Sequence, residues 1–348
     1  GPPPAASAAG AAGAEAGAEA DVPLARSMPT PEQVILIESG TQSTEDLLRD
    51  LADTPGVLAA QPDYVRYIDD LETQAKPVEE PAAALSADTA PTDDPLIGLQ
   101  WHLAPTDEIA GAANVETLWG DEGIPGRPWQ GKEEVVVAVV DTGVDCTNPD
   151  LKDVMWENPG NIGLEGEHGY DYGMGDDDPM DNDGHGTHVA GIIAASVNNG
   201  EGVAGVAPNA KIMALRVANE SGGFLTSAVL GAYSYMKKAA QARVNLVAAN
   251  NSWMGAGESP LLTEVMDDLY RSNGVLSVCA SGNYAADLDQ SLNLPAGAPT
   301  DGAIAVNAVD REGRLASFSD YGAAATDLAA PGTDILSTAP QGQGIVDG

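Results

Sequence analysis

The sequence is poor in several residue types, and each shortage excludes a class of protein. Its 348 residues include two cysteines, Cys146 and Cys279, four histidines and two phenylalanines. Two cysteines cannot supply a disulfide framework or a zinc knuckle, so we expect buried free thiols in apolar contexts. No apolar run approaches the roughly 20 residues that span a bilayer, so we expect no membrane span.

Basic residues are also scarce. The chain has 15 lysines and arginines against 53 aspartates and glutamates, a net charge of −38. Such a chain repels phosphate, which excludes nucleic acid as a partner. The acidic surface suits divalent cations, high salt or an extracellular setting, and solubility alone explains it equally well. The hydrophobic content of 43% is enough to bury a sizeable core.

Composition divides the chain into four parts. Residues 1–30 are rich in Ala, Gly and Pro and predict a flexible low-complexity tail. Residues 31–70 form a small α/β unit, residues 71–94 an acidic Pro/Ala linker, and residues 95–348 one large domain. Within the small unit we predict strands at 34–39 and 56–70 and a helix at 43–51 that Ser43 caps.

The large domain alternates apolar strands with amphipathic helices. Residues 135–141 (VVVAVVD) are continuously apolar, as in a strand buried on both faces of a parallel sheet. Further strands are predicted at 211–217, 245–253, 274–281 and 303–310, and helices at 188–197, 226–242 and 260–272. This order predicts an α/β fold with a doubly wound, mostly parallel sheet and helices on both faces. Asp141, Ser252 and Asn283 follow apolar runs, at strand ends where active residues gather in such sheets.

Two of the four histidines, His185 and His188, lie in the stretch DNDGHGTHVAG at 181–191. The stretch is compatible with a metal site, a catalytic base or an acidic loop that contains histidine. Zinc is disfavoured, because metalloproteases place a glutamate beside the first histidine and the second histidine four residues on. Taken alone, the stretch leaves a structural pair open.

The surroundings of the pair favour a catalytic base. Asp141 ends a buried strand, where a carboxylate can orient an imidazole and stabilise its charged form. His185 lies between two glycines, which let a substrate backbone approach closely. Asn283 ends another strand, and its amide can donate to a developing oxyanion.

Four segments resemble, in order, the motifs of the subtilisin-like serine proteases (subtilases, peptidase family S8). They are VVDTGVD at 139–145, GHGTHVAG at 184–191, NNSW at 250–253 and ASGN at 280–283. The resemblance covers about residues 92–348. It implies a subtilisin-like fold, secretion or a cell-surface location, and a serine endopeptidase that cleaves polypeptide substrates through Asp-His-Ser acyl-enzyme chemistry.

By position, the resemblance implies a role for each matching residue. Asp141 becomes the orienting acid, His185 the general base, Asn283 the oxyanion donor, and His188 a packing residue. Met254 stands where the family usually has glycine, so its side chain is expected to narrow or cover the substrate pocket. The pocket and the strand that pairs with substrate are assigned to Ser252, Trp253, Met254, Gly255, Ala280, Ser221 and Gly222.

The nucleophile of the family, in a Gly-Thr-Ser-Met-Ala motif, is absent from the 348 residues. Ser252 and Ser281 belong to other motifs, and Ser337 precedes the expected position. We therefore expect this chain alone to be inactive, with the serine in a continuation or on a separate C-terminal chain. The alternative is a non-catalytic pseudoprotease that acts as a binding or scaffolding module, which the intact Asp141, His185 and Asn283 disfavour.

The small unit, which ends in QPDYVRY, resembles the second half of a subtilase inhibitory propeptide. This implies a zymogen whose own propeptide is a partner in the active-site cleft. DDPLIGLQWHL resembles the mature start of several subtilases, so processing is expected within about residues 70–94.

The resemblance also implies structural calcium, which prefers several oxygen ligands. One set comprises Asp94, Asp150 and Asn199 with the carbonyls of Glu201 and Val203, and a second comprises Asp171, Asp176 and Asp178. The alternative for both sets is a solvated acidic loop.

Overall fold

The structure is a computed structural model. It describes residues 24–27, 35–57, 59–67, 76–77, 92–121, 134–219, 222–291, 293–340 and 345–347. The strands are β1 (Leu24–Ser27), β2 (Ile35–Glu38), β3 (Val65–Tyr67), β4 (Lys76–Pro77), β5 (Val135–Asp141), β6 (Gly169–Asp171), β7 (Ala210–Arg216), β8 (Gly223–Leu225), β9 (Leu246–Asn251), β10 (Gly255–Ala256), β11 (Leu276–Ala280), β12 (Asn293–Leu294), β13 (Ala303–Val309), β14 (Leu328–Pro331), β15 (Leu336–Thr338) and β16 (Ile345–Asp347). The α-helices are α1 (Thr44–Ala52), α2 (Val115–Asp121), α3 (His185–Ala194), α4 (Thr226–Gln241) and α5 (Pro260–Asn273), and 3-10 turns lie at Ile97–Leu99 and Trp101–Leu103.

A seven-stranded sheet forms the centre of the large domain. Its order is β14-β13-β11-β9-β5-β7-β6, and every pair of neighbours is parallel. The predicted doubly wound α/β fold is thereby confirmed. One predicted helix differs, because α3 begins at His185 rather than at residue 188 and ends at Ala194. The helix thus carries both histidines of the pair.

The two faces of β5 explain its continuous apolar run. Val136, Ala138 and Val140 belong to one core cluster, which also holds side chains of α4 and α5. Val139 points to the other cluster, where Ala190 of α3 is buried. Because successive side chains of a strand alternate between faces, a strand covered on both sides must be apolar at every position.

The small N-terminal unit is built mainly as the sequence predicts. Ser43 precedes α1, and its Oγ accepts a hydrogen bond from the backbone N–H of Asp46 at 3.2 Å. Among the described residues of the predicted strand at 56–70, only Val65–Tyr67 form a strand, β3. Residues 24–27, assigned to the tail, instead form β1, which pairs antiparallel with β2. The rest of the predicted tail, and residues 78–91 of the linker, lie outside the described residues.

Two side chains of this unit reach the helices of the large domain. Asp63 accepts from the backbone N–H of Ser227 at 2.8 Å, and Gln61 accepts from the backbone N–H of Leu261 at 3.2 Å. Both N–H groups lie in the first turn of a helix, where backbone donors lack partners within the helix. The segment that leads to β3 therefore caps α4 and α5. Lys76–Pro77 of the linker pairs with β16, which also pairs with β15.

Cys146 and Cys279 are free thiols, as predicted. Burial raises the pKa of Cys146 to about 12 and also raises that of Cys279. Since the thiolate is the nucleophilic form, neither cysteine is equipped to attack a substrate. Within the described ranges, no helix combines the length and the apolar character that crossing a membrane requires.

Candidate active site

Asp141 and His185 form a directly bonded pair. Nδ1 of His185 lies 2.7 Å from Oδ1 of Asp141, which is fully buried at the carboxyl end of β5. The same carboxylate oxygen accepts from the backbone N–H of Thr142 at 2.7 Å. With Nδ1 committed to Asp141, Nε2 is the ring nitrogen left to exchange a proton with another group.

The start of α3 is held against the end of β5 so that this pair can form. The backbone N–H of Gly186 donates to Oγ1 of Thr142 at 2.8 Å. A side chain at position 186 would collide with the carbonyl oxygen of Gly143 and crowd Asp141. Glycine is therefore required at 186, which gives the second glycine of the GHGTH motif a steric reason.

Asp181 fixes the first turn of α3, and the sequence analysis did not assign it a role. Its Oδ1 accepts from the backbone N–H groups of Asp183 and Gly184 at 2.9 and 3.0 Å. Its Oδ2 accepts from the N–H and the hydroxyl of Thr187 at 3.0 and 2.6 Å. Asp181 is fully buried and sits at the positive end of the helix dipole. The sequence pattern that could have identified Asp181 is a carboxylate a few residues before a predicted helix.

The pKa of His185 is set by opposing effects. Burial lowers the pKa, while the charge of Asp141, the hydrogen bond to it and the charges of Asp183 and Asp181 raise it. The carboxylates together have a larger effect than burial, so the pKa of His185 is raised to about 9. The site thus stabilises the imidazolium, the form that His185 takes after it accepts a proton.

Asn283 lies near the same edge of the sheet. β11 is joined to β9, and β9 to β5, so the carboxyl ends of the three parallel strands are adjacent. Asn283 follows β11 by three residues, and Ala280 is the last residue of that strand. The sheet thereby gathers Asp141, Asn283 and the residues that follow β9, as the sequence predicted for the strand ends.

The segment after β9 is largely buried. Trp253 is buried and packs edge-on against Phe224, with the ring centroids 5.1 Å apart. Met254 is buried too, and its methyl group lies against Gly282. Beyond Met254, Gly255 of β10 pairs antiparallel with Leu294 of β12.

Asn293 packs against this segment and was not among the predicted site residues. Its Nδ2 donates to the carbonyl oxygen of Ser281 at 3.3 Å and lies 3.7 Å from the sulfur of Met254. Only the pairing of β10 with β12 brings it there, across 39 residues of sequence. No local signal marks such a residue.

The edge of β8 is covered by the chain's own β3. Val65, Arg66 and Tyr67 pair antiparallel with Leu225, Phe224 and Gly223. The strand that directly follows the residues assigned to substrate, Ser221 and Gly222, therefore carries an extended segment from the N-terminal unit. Gly222 directly precedes β8 with a φ of 74°, and Ser221 lies outside the described residues.

The three serines considered as nucleophiles have other partners. Oγ of Ser337 donates to the carbonyl oxygen of His188 at 2.7 Å. Oγ of Ser281 donates to the carbonyl oxygen of Asp320 at 3.3 Å. Oγ of Ser252 accepts from the side-chain amide of Asn250 at 2.9 Å. Each hydroxyl is thus engaged in a hydrogen bond within the structure.

Three members of the first calcium set, Asp94, Asp150 and Asn199, lie together in the structure. Asp94 and Asp150 are both buried, and burial raises the pKa of Asp150 to about 6, with the charge of Asp94 acting in the same direction. Nδ2 of Asn199 and the backbone N–H of Val203 donate to Asp150 at 2.8 and 2.9 Å. Two buried carboxylates that repel each other fit a hard cation. Glu201 is exposed, and its backbone N–H donates to Oδ1 of Asn199.

In the second calcium set, Asp171 and Asp176 are joined by backbone hydrogen bonds of 3.0 and 3.1 Å, while the three carboxylates have separate partners. Asp171 is buried, accepts from the N–H groups of Gly173 and Met174 and pairs with Arg216 at 3.4 Å. Asp176 and Asp178 are exposed, and each accepts a backbone N–H two residues further along its own loop. In the part of the chain that the structure describes, no three acidic, histidine or cysteine side chains cluster as a metal site. Asp171 already has a cation in Arg216.

At this edge of the parallel sheet a buried carboxylate orients an imidazole, an arrangement that hydrolases use to activate a nucleophile. Residues 132–346 match the Subtilase family, Peptidase_S8. The chain belongs to this family, the subtilisin-like serine proteases.

Three relatives illustrate the similarity. The chain is 38% identical over 202 residues to a thermophilic serine proteinase of Bacillus sp. (strain AK1), over 58% of this chain and 45% of the relative. It is 36% identical over 210 residues to the major intracellular serine protease of Bacillus subtilis (strain 168), over 60% of this chain and 61% of the relative. The chain thus spans about half the length of these two relatives. Among solved structures, proteases from Pseudoalteromonas arctica share 30% identity with a TM-score of 0.58, over 73% of this chain and 79% of that chain.

Proposed function

We propose that this chain is the catalytic region of a serine endopeptidase zymogen that cleaves polypeptides by acyl-enzyme chemistry. The observation that carries the proposal is the 2.7 Å bond between Nδ1 of His185 and the buried carboxylate of Asp141. The bond turns Nε2 toward a nucleophile, and Asn283 at the same sheet edge supplies an amide donor.

The chemistry follows from these positions. Nε2 of His185 takes the hydroxyl proton of a serine as that oxygen attacks the peptide carbonyl carbon. Asp141 stabilises the imidazolium that results, and the amide of Asn283 donates to the oxygen that becomes negative. The imidazolium then gives its proton to the leaving amine, and a water molecule repeats the sequence to release the acyl group. Each proton taken is returned, so His185 ends each cycle neutral.

The nucleophile in this proposal lies outside the 348 residues, in a continuation or on a separate chain. The sequence contains no Gly-Thr-Ser motif, and Ser252, Ser281 and Ser337 are bonded elsewhere. An esterase assay on the purified 348-residue chain tests this point, with no burst of acyl product expected. A stoichiometric burst would show that a serine of this chain is the nucleophile.

The alternative is a pseudoprotease that binds polypeptides without cleaving them. The coding sequence beyond residue 348 separates the two functions. A Gly-Thr-Ser continuation, followed by peptide hydrolysis that His185→Ala abolishes in the protein carrying it, supports the protease. An open reading frame without a serine motif, or hydrolysis that survives His185→Ala, contradicts it.

The N-terminal unit acts as an inhibitory propeptide in this proposal. Its support is the pairing of β3 with β8 and the capping of α4 and α5 by Asp63 and Gln61. An extended segment on a sheet edge excludes a second strand from the same edge. N-terminal sequencing after incubation with active full-length protein should find a cut within about residues 70–94, and an intact chain would argue against processing there.

Calcium has a structural role at Asp94, Asp150 and Asn199, with the carbonyls of Glu201 and Val203 as further oxygen ligands. Calcium there would join the segment before residue 95 to the loop at 198–203. We propose secretion or a cell-surface location as well, which the net charge of −38 suits. Fractionation of cells that express the full-length protein tests the location, with activity expected outside the cells.

A further inference from the structure

The loop that carries Asn283 has a shape that its own sequence does not favour. β11 ends at Ala280, and the chain then turns through residues 281–286. Gly282 has a φ of 131° and Ala285 a φ of 51°. A left-handed alanine costs about 1 kcal/mol or more, so surrounding contacts must hold the loop in place.

Asp320 supplies these contacts on both sides of Asn283. Its backbone N–H donates to the carbonyl oxygen of Gly282 at 2.7 Å. Its Oδ1 accepts from the backbone N–H groups of Tyr284 and Ala286, both at 2.8 Å. The residues immediately before and after Asn283 are therefore tied to one residue that is 37 positions away in sequence.

Asp320 is itself rigidly placed. It is only 1% exposed, and its carbonyl oxygen accepts from the hydroxyls of Ser281 and Ser319 at 3.3 and 3.0 Å. Gly282 lets the carboxylate approach, since a side chain at 282 would collide with Oδ2 of Asp320. A buried carboxylate in this setting has little freedom to move without moving the loop.

The loop is also joined to the residues beside Asp320. The backbone N–H of Ala285 donates to the carbonyl oxygen of Phe318 at 2.7 Å, and that of Tyr321 donates to the carbonyl oxygen of Ala286 at 2.9 Å. These bonds keep the two segments together, while the bonds of Asp320 determine where the peptide groups around Asn283 point.

We propose that Asp320 is a positioning residue for catalysis, which holds the side-chain amide of Asn283 where the oxyanion forms. The inference rests on the proposed function, because it assigns Asn283 as the oxyanion donor. Such donors act by being fixed in place before the reaction, so a displacement of about 1 Å costs on the order of 100-fold in rate.

The test compares Asp320→Ala with Asp320→Asn in the full-length protein, on a short chromogenic peptide amide that saturates the wild type. Alanine removes the acceptor for Tyr284 and Ala286, so kcat should fall about 10- to 100-fold with KM nearly unchanged. Asparagine keeps a carbonyl oxygen in the place of Oδ1, so kcat should stay within about threefold of the wild type.

Asp289→Ala is the matched control. Asp289 also accepts several backbone N–H groups, from Ala323, Ala324 and Ala325 at 2.8 to 3.0 Å in the shortest bond to each. It touches neither Gly282 nor Tyr284 through any of these bonds. Asp289→Ala should lower Tm as Asp320→Ala does, but it should leave kcat unchanged. Equal kcat losses in the two alanine variants would show that Asp320 stabilises the fold but does not position Asn283.

A double-mutant cycle with Asn283→Ala tests whether Asp320 acts through Asn283. Once the amide is gone, Asp320→Ala should lower kcat by no more than about twofold further. A full 10- to 100-fold loss in the Asn283→Ala background would overturn the proposal.

NMR separates this proposal from the proposed function. In the 348-residue chain, Asp320→Ala should shift the side-chain amide signals of Asn283, whereas Asp289→Ala should not. If the full-length wild type does not hydrolyse peptides, the proposed function fails, and these shifts still report whether Asp320 positions Asn283. Unshifted Asn283 signals in a folded Asp320→Ala protein would overturn the positioning role.

Discussion

The guanidinium of Arg66 lies directly against Gly255, so closely that a side chain at position 255 would collide with it. Arg66 belongs to β3, is 2% exposed and has lost nearly all contact with water. Its Nε donates to Oγ1 of Thr226 at 3.3 Å, while Nη1 and Nη2 have no hydrogen-bond partner among the described residues. Burial lowers the pKa of Arg66. β3, the segment on the β8 edge, thus carries a buried cation whose hydrogen-bond donors are only partly paired.

Replacing Arg66 with Met should therefore stabilise the chain. Methionine keeps the apolar stem against Gly255 and removes the unsatisfied donors, so the free energy of unfolding should rise by about 1–3 kcal/mol. Urea unfolding measures the change. Arg49→Met is the control, because Arg49 is exposed and pairs with Asp46 on α1, and it should change stability by less than about 0.5 kcal/mol. A destabilised Arg66→Met protein would show that the guanidinium is better satisfied than these contacts indicate.

The same substitution should slow release of the N-terminal unit in the full-length protein. If β3 binds more tightly, the lag before activity appears should lengthen in Arg66→Met and remain unchanged in Arg49→Met. A shorter lag in Arg66→Met would mean that the guanidinium strengthens the inhibitory contact.

Activity should depend on pH through His185. Its pKa is raised to about 9, and the imidazolium has no lone pair at Nε2 with which to accept a proton. In the full-length protein, kcat/KM should therefore rise with pH and reach half of its maximum near that value. Asp141→Asn removes the charge that raises the pKa, so the midpoint should move toward 6.5 while kcat falls by about 10⁴-fold. A midpoint unchanged by Asp141→Asn would mean that the profile reports another group.

Stability should show the opposite dependence on pH. Because the folded protein raises the pKa of His185 above its unfolded value, the Asp141–His185 interaction contributes fully below about pH 6.5 and is lost as pH rises through about 9. The difference in free energy of unfolding between wild type and His185→Gln should shrink over that window. Urea titrations of the 348-residue chain at several pH values measure it, and a difference that grows with pH would contradict the assignment.

Calcium should raise the melting temperature of the 348-residue chain. A cation at Asp94 and Asp150 binds the folded state alone, and saturation at 100 times Kd contributes about 2.7 kcal/mol, or roughly 5 °C. Asp150→Asn should abolish most of the rise. Asp178→Asn should keep it, because Asp178 is exposed and does not belong to the set of Asp94 and Asp150. A chelator that leaves the wild-type melting temperature unchanged would exclude the site.

Met254 should limit the size of the residue that precedes the scissile bond. Met254→Ala in the full-length protein should raise kcat/KM for a large apolar residue there relative to alanine by about 10-fold. It should also cost about 2–3 kcal/mol of stability, because Met254 is buried against Gly282. Met174→Ala is the control, since Met174 is 50% exposed, and it should change neither quantity. An unchanged preference in Met254→Ala would place Met254 outside the pocket.

Several elements could be predicted because they depend on nearby residues. The apolar run of β5, the cap of α1 by Ser43 and the periodicity of α4 and α5 are local patterns, and their bounds agree to within one or two residues. The start of α3 was misplaced by three residues, because GHGT is a weak helix former and becomes helical only where Asp181 and Thr142 satisfy its first N–H groups. Among the described residues of the strand predicted at 56–70, only 65–67 pair with the edge of β8, and they alone form a strand.

The sequence by itself determined the fold class, the order of β5, α3, β7, α4, β9, α5, β11 and β13, and the identity of Asp141, His185 and Asn283 as candidate catalytic groups. Apolar periodicity and motif order carry that information along the chain. Only the tertiary structure decided that Asp320 accepts hydrogen bonds from the loop of Asn283. The same holds for the contact of Asn293 with Met254 and for the burial of Arg66 against Gly255. Each of these contacts joins residues that are at least 34 positions apart, where no local pattern exists, so only the packing of the folded chain specifies them.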